Sequence, residues 1–281
     1  MHYCHYREYI ASHNSMETMA QAPDWDGLTR FAQGLAVAAG GEILPLFRCN
    51  TGIDVKSGPV WDPVTEGDRA GERIIRRMIE ERYPEHAIEG EEYGFKEGRS
   101  GFTWILDPID GTRAFVCGLP FWSTLIGLMY EGRPVIGLMS QPFVGEMFYG
   151  NPFGAWHARG GEVRPIRTRT GIRLEDATMG TTAPELYRTD RDKASFARLS
   201  QAVRLTRFGG DAYFYAVVAA GHLDIALDAG LQPYDIAPLL PIILGAGGAA
   251  AEWTGGNPAE GGNVITAGSQ ALLEEALAVM A

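Results

Sequence analysis

The apolar run Trp104-Ile105-Leu106 ends in Asp107-Pro108-Ile109-Asp110-Gly111-Thr112, which crowds two carboxylates, a glycine and a hydroxyl into consecutive positions. Two ionised carboxylates a few ångströms apart repel unless one takes a proton or a cation sits between them. Hard divalent cations with oxygen ligands, Mg2+ above all, suit such a pair. Phe102 to Leu106 is short and β-prone and reads as a buried strand that leaves Asp107 at its end. Pro108 has no N–H and holds the residue before it in extended geometry, so the chain is expected to leave the sheet there and turn, letting Asp107 and Asp110 converge. Beyond Gly111, the segment Thr112-Arg113-Ala114-Phe115 is expected to open a helix whose free N–H groups face an anion. Taken alone, the stretch fits equally a turn in which Asp107 caps a helix and Asp110 is solvated.

Other acidic motifs shift that balance. Asp62-Pro63-Val64-Thr65-Glu66-Gly67-Asp68 and Gly90-Glu91-Glu92 lie upstream, and Pro233-Tyr234-Asp235 lies far downstream, ahead of an apolar stretch. From about Asp24 to the C-terminus, the order D-P-x-T-x-x-D, G-E-E, D-P-I-D-G-T and a late aromatic-Asp pair resembles the inositol monophosphatase family of Mg2+-dependent phosphatases. Within it the chain is most similar to the histidinol-phosphate phosphatase branch, through Thr112-Arg113-Ala114-Phe115, Gly118-Leu119-Pro120, Arg207-Phe208-Gly209-Gly210-Asp211 and Gln232-Pro233-Tyr234-Asp235.

The resemblance implies an α/β fold, with an α+β N-terminal half and an α/β C-terminal half. They form the layered αβαβα sandwich of the inositol monophosphatase and fructose-1,6-bisphosphatase type. It implies hydrolysis of a phosphomonoester by water with two or three Mg2+ ions. Glu91, Asp107 and the backbone carbonyl of Ile109 would hold one ion, while Asp107, Asp110 and Asp235 hold another. Thr112, oriented by Asp62, would position and deprotonate the water, and the N–H groups of Gly111 and Thr112 would hold phosphate oxygens. For the substrate the branch points to L-histidinol phosphate in histidine biosynthesis, with Arg207, Asp211 and Asp228 as substrate-binding candidates. By position alone, Asp211 and Asp228 are equally a helix cap and a surface loop residue. The alternatives are an inositol-1-phosphate or other sugar or nucleotide phosphatase, and, in another class, a non-catalytic regulator that binds protein or RNA.

Bulk properties agree with a soluble, globular protein. The 281 residues are enough for one large domain or two tightly joined halves. Hydrophobic residues make up 46% and charged residues 21%, which indicates neither disorder nor a membrane protein. A net charge of −11 argues against a nucleic-acid surface, which needs clustered Lys and Arg. Cys4, Cys49 and Cys117 are too few and too widely spaced for a disulfide framework. No signal peptide is recognised, and Ile236 to Ala251, the longest apolar run, is shorter than the ~20 residues a membrane-crossing helix needs and is expected to be a buried helix and a following turn. A cytoplasmic homodimer acting on a small phosphorylated metabolite is expected, with neither nucleic acid nor membrane as partner.

Around these residues the chain divides into an extension (1–23), an N-terminal half (24–165) that supplies most ligands, and a C-terminal half (166–281) that completes the site. The His and Cys residues of the extension lack a metal-binding spacing. Asp24 caps a long amphipathic helix, and Thr65 with Asp68 has capping-box spacing for a second. On that second helix Glu72, Arg73, Arg76, Arg77, Glu80, Glu81 and Arg82 are expected to form a solvated face. Trp122 to Met129 and Pro134 to Met139 flank a tight Glu131-Gly132 turn, and His86 and His157 are expected to be satisfied sheet residues. Further on, strands and helices alternate. Asp235 stands where a helix N-cap belongs, ahead of a single helix from Ile236 to Leu244 in which Pro241 has no evident place.

Overall fold

The structure, a computed structural model, describes residues 23–49, 53–55 and 63–281. Nearly all of the expected extension, and Lys56, Ser57 and Asp62, therefore lie outside the described residues.

Helix α1 (Trp25–Ile43) starts where Asp24 accepts a hydrogen bond from Gly27 N, and it buries Leu28, Ala32, Leu35, Ala39 and Ile43 along one face. Strands β1 (Ile53–Val55) and β2 (Pro63–Thr65) pair antiparallel. Helix α2 (Glu66–Arg82) follows, opened by the expected capping box of Thr65 and Asp68. Strands β3 (Ala87–Gly90), β4 (Gly94–Lys96) and β5 (Phe102–Asp110) come next, then the short helix α3 (Thr112–Val116) and strands β6 (Ser123–Tyr130), β7 (Arg133–Gln141), β8 (Glu146–Asn151), β9 (Gly154–Arg159) and β10 (Glu162–Pro165). Apart from β1 and β2, these strands form one sheet of order β10-β9-β8-β7-β6-β5-β3-β4. Glu131 and Gly132 both have positive φ, which matches the right-handed twist of the β6–β7 hairpin.

A second sheet, of order β12-β11-β13-β15-β14, is built from β11 (Thr178–Thr181), β12 (Leu205–Phe208), β13 (Ile225–Leu231), β14 (Ala249–Glu252) and β15 (Gly262–Ala267). Its helices are α4 (Asp190–Ala202), α5 (Asp211–Ala219), α6 (Pro233–Ile236), α7 (Leu240–Gly245) and α8 (Gln270–Met280).

Three apolar clusters stack these elements into five layers. Residues of α1 and α2 pack on one face of the large sheet through Leu35, Ile75, Trp104 and Ile126. The opposite face (Leu125, Met139, Phe148) meets α5 and α7, which also cover Ala226 and Val264 of the small sheet. Helices α4 and α8 close its far side through Leu199, Leu272 and Ala276. The result is the αβαβα sandwich.

Three local expectations need correction. The segment from Ile236 to Leu244 is two short helices, so Pro241 falls in the first turn of α7, where its missing N–H costs nothing. The break lets the linker lie flat on the large sheet: a Cβ at Gly137 would sit 1.9 Å from Pro238 O, and one at Gly150 would sit 2.2 Å from Pro241 O. The alanine run after α7 is strand β14 rather than a turn. The chain also does not leave the sheet at Pro108: β5 runs on to Asp110, with a register shift between Asp107 and Asp110 where Pro108 is accommodated.

Candidate metal and phosphate site

The irregularity in β5 builds the centre of the site. Asp107 still faces Leu125 in register, Asp110 faces Ser123, and the residues between them are displaced. Asp107 Oδ1 accepts from Ile109 N at 3.0 Å, which locks this turn. Gly111 follows at φ +79°, a conformation costly for any residue with a Cβ, and it starts α3 at once. Asp235 approaches from the second half. It is the third residue of α6, not its N-cap as expected, and its Oδ2 accepts from Gln232 N at 2.7 Å in a capping box. Ligand atoms of Asp107, Asp110 and Asp235 lie within 4.8 Å of one another.

Their electrostatics fit a cation site. Burial pushes the Asp107 carboxyl well above the ordinary carboxylate range, and the charges of Glu91, Asp110 and Asp235 push it further. Glu91 also hydrogen-bonds to it. Burial likewise raises Asp110, reinforced by Asp211 and Asp235 and opposed by the hydrogen bond it accepts from Ala212 N at 2.8 Å. That bond ties the first residues of α5 to the end of β5. Carboxylates held so far from their preferred state in a mostly buried cluster fit a divalent cation, and the all-oxygen donor set fits Mg2+.

Thr112 stands at the rim. Its Oγ1 lies 3.0 Å from Ile109 O and 3.4 Å from Asp68 Oδ1. Asp62 lies outside the described residues, so the carboxylate seen beside Thr112 is the last residue of the D-P-x-T-x-x-D motif. Burial raises Asp68 to about 7, against the hydrogen bonds that it accepts from Thr65. The spacing of Thr65 and Asp68 was legible as a helix cap. The placement of Asp68 beside Thr112 was not, because a cap and a residue facing the cavity share one signature.

The cavity above the cluster encloses about 400 Å³. Glu91, Asp107, Ile109, Asp110, Gly111, Thr112, Asp211, Asp228 and Asp235 all line it. Arg207 does not: it sits on exposed edge strand β12 and is not brought to the cavity. Asp211 adopts φ +43° and packs so close to Gly111 that a Cβ there would lie 3.3 Å from its Cγ. Burial raises its carboxyl to about 6, partly offset by Arg113.

Asp228 is a different case, neither a surface loop residue nor a free carboxylate. It is 1% exposed and accepts hydrogen bonds from Thr181 Oγ1 (2.9 Å), Thr182 N (2.7 Å), Thr182 Oγ1 (3.1 Å) and Tyr215 OH (3.1 Å). Burial raises it to about 7 in spite of them. Sequence reasoning missed Thr182 and Arg188 and gave Gln232 no site role; all three also line the cavity. They stand in loops or at helix ends, where neither periodicity nor a charge cluster marks them.

Such an arrangement can gather cations, hold a phosphate beside them and place a hydroxyl next to a carboxylate. The model of the inositol monophosphatase family matches residues 24–280. The chain belongs to this family. Among its relatives, the bifunctional phosphatase IMPL2, chloroplastic, of Arabidopsis thaliana is 36% identical over 94% of this chain and 78% of its own. A histidinol-phosphatase of Streptomyces coelicolor is 32% identical over 80% of this chain and 86% of its own. Of the solved structures, an inositol monophosphatase from Zymomonas mobilis superposes with a TM-score of 0.80 at 37% identity, covering 92% of this chain and 99% of that one. The coarse assignment, an inositol monophosphatase-family phosphatase, follows; no helix among the described residues is long and apolar enough to cross a membrane.

Proposed function

We propose that the protein is a Mg2+-dependent phosphomonoesterase that converts L-histidinol phosphate to L-histidinol and phosphate. The observation that carries the metal reading is the convergence of Asp107, Asp110 and Asp235, with Glu91 against Asp107, on one floor of the cavity. Glu91, Asp107, the Ile109 carbonyl, Asp110 and Asp235 would hold two or three ions. Bound there, the ions would supply Lewis acidity toward the phosphate and a lower pKa for the attacking water.

The rest belongs to the chain's own groups. The Thr112 hydroxyl has one proton; given to Asp68 Oδ1, it leaves an Oγ lone pair to accept a proton from the water. The N–H groups of Gly111 and Thr112 hold phosphate oxygens. Asp211 then faces the organic part of the substrate. Histidinol phosphate carries an ammonium there, and Asp211 is the better partner for it because Asp228 already accepts four hydrogen bonds. Relatives named histidinol-phosphatase support this substrate. A homodimer and a cytoplasmic location belong to the same reading. Exposed Leu119, Phe121 and Phe143 favour the first, and the free thiols Cys49 and Cys117 fit the reducing compartment of the second.

Inositol 1-phosphate is the second reading, favoured by the likeness to the Zymomonas mobilis structure. A non-catalytic regulator is disfavoured because the full carboxylate set is present. Comparing kcat/KM on histidinol phosphate and on inositol 1-phosphate separates the two substrates, and a clear preference for the polyol would overturn the first.

A further inference from the structure

The polar face of α2 is solvated as its charge pattern predicts at Arg73, Arg77, Glu80, Glu81 and Arg82, but not at Glu72 and Arg76. Asp68, Glu72 and Arg76 follow one another at intervals of four and so share a stripe of the helix. That stripe turns inward: Asp68 is 1% and Glu72 0% exposed, and the Arg76 side chain is 13% exposed. Burying a carboxylate this far is strongly unfavourable unless its oxygens are satisfied. Those of Glu72 are. Oε2 accepts from Glu92 N at 2.8 Å, and Oε1 accepts from Tyr93 N at 3.2 Å and from Arg76 Nε at 2.6 Å. Arg76 in turn donates to Gly94 O.

These partners surround one residue. Glu91 lies between Gly90, the last residue of β3, and the two N–H groups that Glu72 holds, and its own N–H donates to Leu106 O at 3.1 Å. The backbone that carries Glu91 is thus pinned on one side by β5 and on the other by a buried carboxylate from α2. Glu72 also accounts for the glycine of the G-E-E motif. A Cβ at Gly90 would lie 2.0 Å from Glu72 Oε1 and 2.4 Å from its Cδ, so no side chain fits while Glu72 is in place.

We infer that Glu72 is a positioning residue for the cation site: it fixes the turn that aims Glu91 at Asp107, and so sets how tightly the site binds divalent metal. One helix then supports both parts of the centre, with Asp68 beside Thr112 and Glu72, one turn on, behind Glu91. The inference rests on Glu91 being a metal ligand. Groups that orient a ligand from behind typically contribute 10- to 100-fold to metal affinity.

The test is direct binding of Mn2+ to the metal-free protein, followed by the resonance of free Mn2+, alongside the Mg2+ concentration that half-saturates phosphate release. Glu72→Gln keeps the volume and removes the charge that Arg76 and the two N–H groups share. Gly90→Ala reaches the same contact from the other side by driving Glu72 out. Both variants are expected to bind Mn2+ 10- to 100-fold more weakly and to need correspondingly more Mg2+, while kcat at saturating Mg2+ stays within about threefold of the parent. A purely structural role would lower the melting temperature and leave Mn2+ affinity within twofold of the parent in either folded variant, and that result overturns the inference. Should Glu72→Gln fail to fold, Gly90→Ala decides. Absence of Mn2+ binding by the parent protein itself would instead refute the metal reading on which the inference rests.

Discussion

Replacing Asp107 by asparagine should stabilise the metal-free protein while abolishing its response to Mg2+. With ligand atoms no more than 4.8 Å apart and an effective dielectric of about 20, each ionised carboxylate pair in the cluster repels by roughly 3 kcal/mol or more. Part of that repulsion is relieved in the native protein by retained protons, because burial and then Glu91, Asp110 and Asp235 hold Asp107 well above the usual carboxylate range. A raised native pKa gives stability that is present below the unfolded value and lost as pH rises through the native one, so wild type in chelator weakens on going from pH 5 to pH 8. The amide of the Asp107→Asn variant carries no charge, and its oxygen can still accept from Ile109 N as the carboxylate does. The variant is therefore expected to gain about 1–2 kcal/mol in chelator at pH 8, seen as a melting temperature about 2–6 °C higher, and to gain little at pH 5. Saturating Mg2+ should reverse the order. Wild type gains about 2.7 kcal/mol at a hundredfold excess over the dissociation constant, and the variant gains almost nothing. Thermal unfolding at both pH values, with chelator and with Mg2+, measures all of this. If the variant is the less stable protein in chelator at pH 8, the cluster is not under repulsion and the reasoning fails.

Three further outcomes are expected. Thr112→Ala should lower kcat by about 10²- to 10⁴-fold with a smaller change in KM, and Asp68→Asn should act in the same direction; an effect confined to KM would reduce Thr112 to a phosphate ligand. Asp211→Asn should lower kcat/KM for histidinol phosphate roughly ten- to a hundredfold and for inositol phosphate much less, the difference a charge-assisted hydrogen bond makes, while Asp228→Asn should mainly lower the melting temperature by disturbing its four bonds; equal losses on both substrates for Asp211→Asn would remove it from substrate selection. In chelator, unfolding free energy from urea titrations should fall between pH 4 and pH 7, because Asp68 and Asp228, each raised to about 7, hold protons in the native state that the unfolded chain gives up; a flat or rising profile would contradict those environments.

The acidic motifs were legible because each combines local chemistry with a local structural signal. Asp107 ends an apolar run, Asp24 and Thr65 cap helices as their residue types predict, and Glu131-Gly132 makes the hairpin turn. His157 and His86 are satisfied as expected, by Glu146 at 2.7 Å and Trp104 at 3.1 Å. What was hidden depends on distant partners. Nothing within α2 reveals that Glu72 meets two N–H groups of another turn, because a charged helix face looks the same whether water or backbone donors lie against it. At the end of its strand Asp228 reads equally as a substrate-binding carboxylate and as a surface loop residue, and nothing local shows that Thr181, Thr182 and Tyr215 close around it. Strand β14 has alanines where β-branched residues would mark a strand, and its pairing with β15 overrides the weak propensity. Arg207 stands out only through motif resemblance, and its place on an exposed edge strand follows from sheet order, which no local pattern encodes.

Release of inorganic phosphate from L-histidinol phosphate, followed with excess chelator and then with saturating Mg2+, tests the central claim most directly. Turnover that is absent in chelator, restored by Mg2+ and lost again in Asp110→Asn is the predicted result. Equal phosphate release with and without divalent cation, or undiminished release by Asp110→Asn, would contradict it.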